Sequence, residues 1–409
     1  MLRLGQNLLS RETTKGKNSS TMPNPKIKVS NFKLILSKED KTFILQKVRE
    51  VLSSSRWTVG PMGEAFEEAF KRLTGAPHAV AVGDGGAALI AALQALEVLE
   101  GSLIICPTLT APPTPHAILA AGMKVVFADS CEDDLGLDPE DLKRKLVQYR
   151  GKIGAVIAVH VGGWISPRIK EIVKMCEREG IPLIEDCAHA HGSWLEGKHA
   201  GTFTKVGTFS FFMTKPLTSG EGGIGIAEEK AVRDAIRVIR NYGKDEHGVH
   251  IRKGFNYKMS EFEAAVALWA SLNGKKITDE RRKIAARYDE MLTGRGGLRI
   301  VKVPGCTCSY YKYAIVLDPG INRDEAKKRL LEEHGVEASG GIYDTLCHEE
   351  PYFRTIPEQV LNAQESFPQA ERFARRQLCL PLYPGLTERE QKIVVQALQR
   401  IFQAQLPTL

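Results

Sequence analysis

The segment Gly207-Thr-Phe-Ser-Phe-Phe-Met-Thr-Lys-Pro-Leu-Thr-Ser-Gly-Glu-Gly-Gly223 places Lys215 between two apolar runs, in a stretch rich in Ser, Thr and Gly. Upstream, Pro182-Leu-Ile-Glu-Asp-Cys-Ala-His-Ala-His-Gly192 ends another apolar run at Asp186. Short runs of this kind alternate with amphipathic stretches from about residue 85 to residue 230. Such alternation of buried strands and helices is typical of a mostly parallel sheet covered by helices, so the sequence predicts an α/β fold.

The same pattern predicts how the chain divides into domains. Buried strands are expected at residues 103–106, 124–128, 155–159, 182–185, 208–211 and 223–226, with a helix at 167–179 and a long helical pattern over 257–292. Beyond that pattern, strands and helices mix on a shorter scale, with a strand at 310–317 and helices at 323–334 and 388–403. We therefore expect a large domain over residues 32–292 and a smaller C-terminal α+β domain over residues 293–409. Residues 1–31 are expected to be a disordered basic tail.

Composition argues against several classes of protein. The chain has 409 residues and a formal net charge of +7, but residues 1–30 alone hold six basic residues and one acidic residue. The remainder is close to neutral, which argues against nucleic-acid binding. No apolar run is long enough for a membrane-spanning helix. The eight cysteines are scattered, and no second pair or nearby histidine completes a zinc motif with Cys306 and Cys308. We expect a cytoplasmic enzyme with reduced cysteines and no metal site.

Lys215 and Asp186 have the chemistry that one cofactor requires. A lysine amine can form a Schiff base with an aldehyde. An aspartate at the carboxyl end of a buried strand lies where parallel sheets bind ligands, and it can hold a ring nitrogen protonated. An isolated aspartate at such a position is more often solvated or caps a helix, but its combination with Lys215 favours a pyridoxal phosphate site.

A glycine-rich segment offers a place for the cofactor phosphate. Val82-Gly-Asp-Gly-Gly-Ala-Ala-Leu89 runs from a strand into a helix, so Gly85, Gly86 and Ala87 would present N–H groups at a helix N-terminus. Ser210, five residues before Lys215, would add a hydroxyl. Strand–helix turns of this kind are mostly structural, so this segment gains weight only from its combination with the lysine.

Several motifs together are similar to those of a known family. They are Asp186-x-x-His189-x-x-Gly192, Phe209-Ser-Phe-x-x-x-Lys215, Gly220-Glu-Gly-Gly223 and Gly254-Phe-Asn256-Tyr-Lys-Met259-Ser-Glu261, within a match from about residue 32 to residue 405. This set resembles the nucleotide-sugar aminotransferases of the DegT/StrS type, which are fold-type-I pyridoxal phosphate enzymes. The resemblance implies a large domain with a mostly parallel seven-stranded sheet between helices.

The resemblance also implies a role for individual residues. Lys215 would bind the cofactor and carry a proton between the substrate carbon and the cofactor, while Asp186 keeps the pyridine nitrogen protonated. His189 would lie beside the cofactor ring. Ser210 and the backbone of Gly86 and Ala87 would bind the phosphate. Asn256 would reach the phosphate in a partner subunit, which implies a homodimer with shared active sites.

The sequence departs from the family pattern at three positions. Gly86 stands where a threonine is usual, so one hydroxyl to the phosphate is missing. Ala111 stands where an aromatic residue often stacks on the cofactor ring. Lys258 replaces an arginine, and the two are not equivalent at a bidentate site.

Five other residues are candidate substrate contacts: Trp57, Gly60, His160, Tyr343 and His348. For Trp57, packing is the simpler explanation. A structural role is an equal alternative for His160, and an ordinary surface loop is the simpler explanation for Tyr343 and His348.

The favoured function is transfer of an amino group from L-glutamate or L-glutamine to a keto sugar, expected to be nucleotide-linked, or to a keto-cyclitol. Only small-molecule substrates are expected, with no nucleic acid and no membrane. One alternative is a dehydratase and aromatase similar to aminohydroxybenzoate synthase, suggested by Cys187-Ala-His-Ala-His191. Another is a non-catalytic regulator on the same fold, which the retention of Lys215, Asp186 and Ser210 disfavours.

Overall fold

The strands of the large sheet are the apolar runs of the sequence. A computed structural model describes residues 27–405. Its strands are β1 (His78–Val82), β2 (Leu103–Pro107), β3 (Lys124–Ala128), β4 (Ile153–Val159), β5 (Leu183–Asp186), β6 (Trp194–Leu195), β7 (Lys198–His199), β8 (Val206–Ser210), β9 (Gly223–Ala227), β10 (Leu298–Ile300), β11 (Cys306–Thr307), β12 (Tyr313–Leu317) and β13 (Gln377–Leu380). The six strands predicted between residues 103 and 226 are thereby confirmed.

Helices follow most of these strands. They are α1 (Lys38–Ser53), α2 (Pro61–Thr74), α3 (Gly85–Ala95), α4 (Pro113–Ala120), α5 (Pro139–Gln148), α6 (Ile169–Glu179), α7 (Lys230–Arg240), α8 (Glu261–Leu272), α9 (Gly274–Leu292), α10 (Arg323–His334), α11 (Pro351–Arg354), α12 (Pro368–Arg376) and α13 (Glu388–Gln405), with short 3-10 helices at Val161–Gly163 and Cys347–Glu349. Within residues 27–405, no helix combines the length and apolar character needed to span a bilayer.

The long helical pattern expected over residues 257–292 is divided into two helices. Ser260 caps α8 with a capping box, in which its side chain accepts the Glu263 N–H and the Glu263 carboxylate accepts the Ser260 N–H. The helix then ends at Asn273, and α9 begins at Gly274. Asn and Gly both favour the end of a helix over its interior, so this pair interrupts a pattern that is otherwise helical.

The large sheet has seven strands in the order β1-β9-β8-β5-β4-β2-β3. β9 is antiparallel to both of its neighbours, while β2, β3, β4, β5 and β8 pair in parallel. The expected α/β fold with a mostly parallel seven-stranded sheet is confirmed. Buried apolar clusters lie against the sheet. The carboxyl ends of β2, β4, β5 and β8 meet at one edge, where ligands of such sheets bind.

A separate three-stranded antiparallel sheet, in the order β10-β12-β13, forms after α9 ends at Leu292. It packs with α10 and α13 around its own buried cluster. We therefore propose a boundary between the large and the small domain at residues 292 and 293, where the sequence pattern indicated it.

Part of the segment expected as a tail is attached to the small domain. Residues 1–26 lie outside the described residues. Val29 is fully buried, its N–H donates to Gly335 O at 3.2 Å, and its carbonyl accepts the Glu337 N–H at 2.9 Å. No periodic pattern in the sequence predicts such a short contact.

Candidate active site

Asp186 and Lys215 lie on neighbouring parts of the sheet edge. Asp186 is the last residue of β5 and pairs with Thr208 of β8. Lys215 lies in the loop that follows β8, and its N–H donates to Phe212 O at 2.9 Å. Asp186 ends β5 and Lys215 follows the adjacent β8, so the predicted lysine and acid lie close enough for their charges to interact.

Asp186 is a buried carboxylate with two protein donors. Thr114 Oγ1 donates to its Oδ2 at 2.9 Å, and the Ala188 N–H donates to its Oδ1 at 3.1 Å. Burial raises the pKa of Asp186 above its ordinary value, whereas these two hydrogen bonds and the charge of Lys215 act in the opposite direction. A cationic ring N–H is a suitable further partner for such a carboxylate.

Lys215 is densely surrounded although part of its surface is accessible. Its Nζ lies 4.8 Å from the centroid of the Tyr311 ring, and Tyr311 Oη is 3.1 Å from Thr214 Oγ1. Burial and, to a smaller extent, the nearby Lys312 charge lower the pKa of Lys215 to about 8, although the Asp186 charge opposes the shift. Near pH 7, a larger fraction of Lys215 side chains is therefore in the neutral amine form than of ordinary lysines. The neutral amine is the reactive form.

His189 lies between aromatic rings and is neutral. Its ring stacks on Tyr311 at a centroid distance of 3.9 Å, and Tyr343 lies 5.6 Å away at 26°. Its Nδ1 accepts the Gly162 N–H at 3.2 Å, so the proton of the neutral ring is on Nε2, 3.4 Å from Tyr343 Oη. Burial and the charge of Lys215 hold the pKa of His189 well below its usual value.

The N-terminus of α3 lies directly against Ser210. A Cβ added to Gly85 would be 2.8 Å from Ser210 Cβ, so only glycine fits there. Asp84 caps the helix and accepts the Ala87 N–H at 2.8 Å. Among the described residues, the N–H groups of Gly85 and Gly86 have no acceptor. Two free helix N–H groups beside a serine form a suitable cradle for a phosphate.

Two of the candidate substrate residues lie apart from these groups. Trp57 is 56% exposed and packs edge-on against Phe262. The Gly60 N–H donates to Glu261 Oε1 at 3.0 Å, and Glu261 also accepts the Met62 and Gly63 N–H groups at the start of α2. Gly60 therefore has a structural role that occupies its N–H group.

His160 and His348 are both buried and hydrogen-bonded within the protein. His160 Nε2 lies 2.9 Å from Glu185 Oε2, and Glu185 also accepts the N–H groups of Gly201, Phe203 and Thr204. His348 Nδ1 lies 2.7 Å from Thr108 Oγ1 and so joins the small domain to the loop after β2. The hydrogen bonds of both histidines are therefore made within the protein, without a substrate.

Tyr343 is brought to the site by a loop fixed at both ends. Gln377 of β13 donates to Tyr343 O at 2.9 Å and accepts the Ile342 N–H at 2.7 Å, and Cys347 N–H donates to Thr108 O at 3.1 Å. Burial raises the pKa of the Tyr343 phenol well above its usual value, and the Asp186 charge adds to the shift. Among the five candidate substrate residues, Tyr343 is therefore the one whose side chain lies against His189.

Asn256 is exposed and lies near the start of α3. The adjacent Tyr257 carbonyl accepts the Gly83 N–H at 2.8 Å, which holds this segment beside the glycine-rich turn.

Sequence reasoning missed three residues that surround Lys215 and Asp186. They are Thr114, Tyr311 and Lys312. Thr114 belongs to the proline-rich stretch where only the missing aromatic residue was noticed. Tyr311 and Lys312 belong to Tyr310-Tyr-Lys-Tyr313, whose pattern did not distinguish the residues facing the site from the others.

A model of the DegT/DnrJ/EryC1/StrS aminotransferase family matches residues 38–399. The chain belongs to this family. It is similar to the GDP-perosamine synthase of Vibrio cholerae, with 31% identity over 343 residues, 83% of this chain and 90% of that protein. The crystal structure of a DegT/DnrJ/EryC1/StrS aminotransferase from Brucella abortus has a TM-score of 0.82 and 26% identity, covering 88% of this chain and 96% of that one. The structure of DesI in the presence of its TDP-sugar product has a TM-score of 0.82 and 27% identity, covering 93% of each chain.

The family resemblance, the fold and the cofactor are thereby confirmed. The chain is a pyridoxal phosphate-dependent aminotransferase. Its residues fit the cofactor, because a buried carboxylate, a lysine with a lowered pKa and two free helix N–H groups border the same sheet edge. The relatives found do not favour the aminohydroxybenzoate-synthase-like alternative.

Proposed function

We propose that this enzyme transfers an amino group from L-glutamate or L-glutamine to a keto sugar linked to a nucleotide, or to a keto-cyclitol, in amino-sugar biosynthesis. The observation that carries the proposal is the convergence of the Lys215 amine and the Asp186 carboxylate in a chain of this family. GDP-perosamine synthase and DesI, each similar to this chain, are named for or bound to nucleotide sugars.

Lys215 and Asp186 are the proposed catalytic residues. Bound pyridoxal phosphate supplies an electron sink for the negative charge left when a proton is removed from the substrate. Lys215 Nζ takes that proton and returns it, because its lowered pKa makes the neutral amine available. Asp186 holds the proton on the pyridine nitrogen, and the Thr114 hydroxyl orients the carboxylate. His189 would lie beside the cofactor ring.

The phosphate of the cofactor is proposed to bind at the start of α3. Gly85, Gly86 and Ala87 provide backbone N–H groups, and Ser210 provides a hydroxyl. The Ala87 N–H is shared with the Asp84 carboxylate, whose negative charge opposes that of the phosphate. Since the threonine hydroxyl of the family is absent at Gly86, we expect this cradle to rely on its backbone donors.

We propose a homodimer with shared active sites. Phe212 and Met213 are exposed apolar residues just before Lys215, and Tyr242 and Phe255 are exposed on the segment that carries Asn256. Such side chains close to a site favour burial against a second copy. In this arrangement Asn256 would reach the phosphate in the partner subunit.

The same dimer would bring to the substrate a groove of mixed charge, whose acidic residues include Glu67, Asp234 and Glu261. Arg240, Lys244 and Lys258 line the groove, and Lys258 Nζ lies 4.2 Å from the Tyr242 ring centroid. Lys258 is two residues from Asn256, so both would approach the partner's site together. Arg240 is paired with Glu67, whereas Lys244 and Lys258 form no ion pair within the described residues, so these two lysines suit the diphosphate of a nucleotide sugar.

The reaction is tested with purified holoenzyme, L-glutamate and a GDP- or TDP-linked keto-deoxysugar. We expect formation of 2-oxoglutarate together with an amino sugar identified by mass spectrometry. Borohydride reduction followed by peptide mapping should locate the cofactor on Lys215. Formation of an aromatic product, or a protein that binds no cofactor, would contradict the proposal.

The shared site is tested by mixing two inactive variants, Lys215→Ala and Asn256→Asp, under conditions that allow subunit exchange. A hybrid dimer then has one site with both native residues, so random exchange should restore about a quarter of the wild-type activity. Each variant alone is the control. Absence of recovery in a mixture shown to contain hybrid dimers would refute the shared site.

A further inference from the structure

Lys312 is a second lysine beside Lys215, and within residues 27–405 no carboxylate forms an ion pair with it. Its hydrogen-bond partner is Ser339 Oγ, at 3.4 Å, which is a long contact. The side chain is half-buried, at the start of β12. Partial burial of an ammonium group that has one long hydrogen bond costs free energy unless an anion binds to it.

The position of Lys312 relates it to the chemistry at Lys215. Lys312 Nζ lies 5.3 Å from the centroid of the Tyr311 ring, and Lys215 Nζ lies 4.8 Å from the same centroid. The charge of Lys312 also contributes to the lowered pKa values of Lys215 and His189. The two side-chain nitrogens therefore lie within about 10 Å of each other, a span that one small substrate can bridge.

Arg281, another cation close to Tyr311, is already occupied by backbone carbonyls. Arg281 Nε donates to Tyr310 O at 2.9 Å, and its Nη2 donates to Tyr311 O at 2.9 Å and to Leu382 O at 3.4 Å. Asp186 is held by Thr114 and the Ala188 N–H. Of Arg281 and Lys312, only Lys312 has donors to spare among the contacts of the described residues.

We propose that Lys312 binds the α-carboxylate of the amino donor, an inference that rests on the proposed function. The α-carboxylate is attached to the same carbon from which Lys215 removes a proton, so its partner has to lie close to Lys215. L-glutamate and L-glutamine share this carboxylate, whereas an amino sugar lacks it. Lys312 therefore distinguishes the donor half of the reaction from the acceptor half.

The test compares the wild-type holoenzyme with the Lys312→Gln and Lys312→Arg variants in each half-reaction. The absorption of the bound cofactor reports the progress of each half-reaction. Lys312→Gln should raise the half-saturating concentration of L-glutamate about tenfold to a hundredfold, because a charge-assisted hydrogen bond is lost. The half-saturating concentration of the amino-sugar product in the reverse reaction should change less than about twofold. Lys312→Arg should recover most of the affinity for L-glutamate.

Glutarate, which has carboxylates but no amine, provides a measurement independent of turnover. It should compete with L-glutamate in the wild-type enzyme and bind at least about tenfold more weakly to Lys312→Gln. Lys275→Gln is the matched control, since Lys275 is exposed on α9 and pairs with Asp279. If Lys312→Gln fails to fold, the role of Lys312 is still tested by Lys312→Arg and by competition between glutarate and L-glutamate in the wild-type enzyme. A failure of glutarate to compete overturns the inference.

The inference is also overturned if Lys312→Gln weakens both half-reactions equally or leaves the saturation by L-glutamate unchanged. Failure of the proposed function has a different signature. In that case the wild-type enzyme would react with L-glutamate but with no keto sugar or keto-cyclitol.

Discussion

Gly85→Ala should weaken cofactor binding, because the start of α3 lies against Ser210. The new Cβ would be 2.8 Å from Ser210 Cβ and 3.3 Å from Ser210 Oγ, closer than side chains tolerate. Ser210 cannot move freely, since its backbone pairs with Gly223 of β9. Either the serine or the helix N-terminus has to shift, and both are proposed phosphate ligands.

The magnitude follows from the cost of overpacking. Inserting a methyl group into a filled position costs about 1–3 kcal/mol. If that cost falls on the cofactor-bound state, the Kd for pyridoxal phosphate rises about 5-fold to 150-fold. Gly86→Ala provides the contrast, because its Cβ would meet a single atom within 4 Å, Asp84 Oδ1 at 3.1 Å, and no backbone atom. That variant should bind the cofactor within about threefold of wild type.

The assay is titration of cofactor-free protein with pyridoxal phosphate, followed by absorption or by quenching of tryptophan fluorescence. Gly320→Ala is the control, because an added Cβ there meets no atom within 4 Å. Melting of the cofactor-free variants separates a local effect from general destabilisation. A wild-type Kd for Gly85→Ala, or an equal loss for Gly86→Ala, would refute the steric reasoning.

Two further predictions concern the groups around the cofactor. Because the pKa of Lys215 is about 8, about one side chain in ten is a neutral amine at pH 7, against about one in three thousand for an ordinary lysine. The rate at which cofactor-free enzyme recaptures pyridoxal phosphate should therefore rise with pH and level off above about 8, as measured by stopped-flow absorption; a rise that continues to pH 10 would contradict this. Thr114→Val removes a donor to Asp186, so the pKa of that carboxyl should rise and kcat should fall about tenfold or more, most strongly at low pH. The exposed Thr42→Val is the control, and an unchanged pH profile for kcat would argue against this role of Thr114.

Much of the fold, and the proximity of Lys215 and Asp186, could be predicted from the sequence, for a physical reason. Parallel strands buried on both faces are continuous apolar runs, and their carboxyl ends meet at one edge. Asp186 ends such a run, and Lys215 follows another. Their proximity therefore depends only on the order of strands β5 and β8, which pair directly.

The residues that tune the site could not be predicted in this way. Thr114 comes from α4, Tyr311 from the segment before β12, and Tyr343 from a loop fixed by Gln377. Each reaches the site through a tertiary contact, and none has a local pattern that specifies it. For the same reason the hydrogen bond from the Gly60 N–H to Glu261 could not be predicted, since about two hundred residues of sequence separate the two partners.

The different surroundings of Asp186 and Lys215 agree with the role proposed for each group. Burial favours the neutral form of both, raising the pKa of the acid and lowering that of the amine. A neutral amine is the form that reacts, so Lys215 can lie over an aromatic ring with Asp186 as its nearby countercharge. A neutral acid would not hold a proton on the pyridine nitrogen, so Asp186 requires the Thr114 hydroxyl and the Ala188 N–H to remain ionised. Removal of one of these donors should therefore harm the site more than removal of a contact to Lys215, because only the acid has to resist the effect of its own burial.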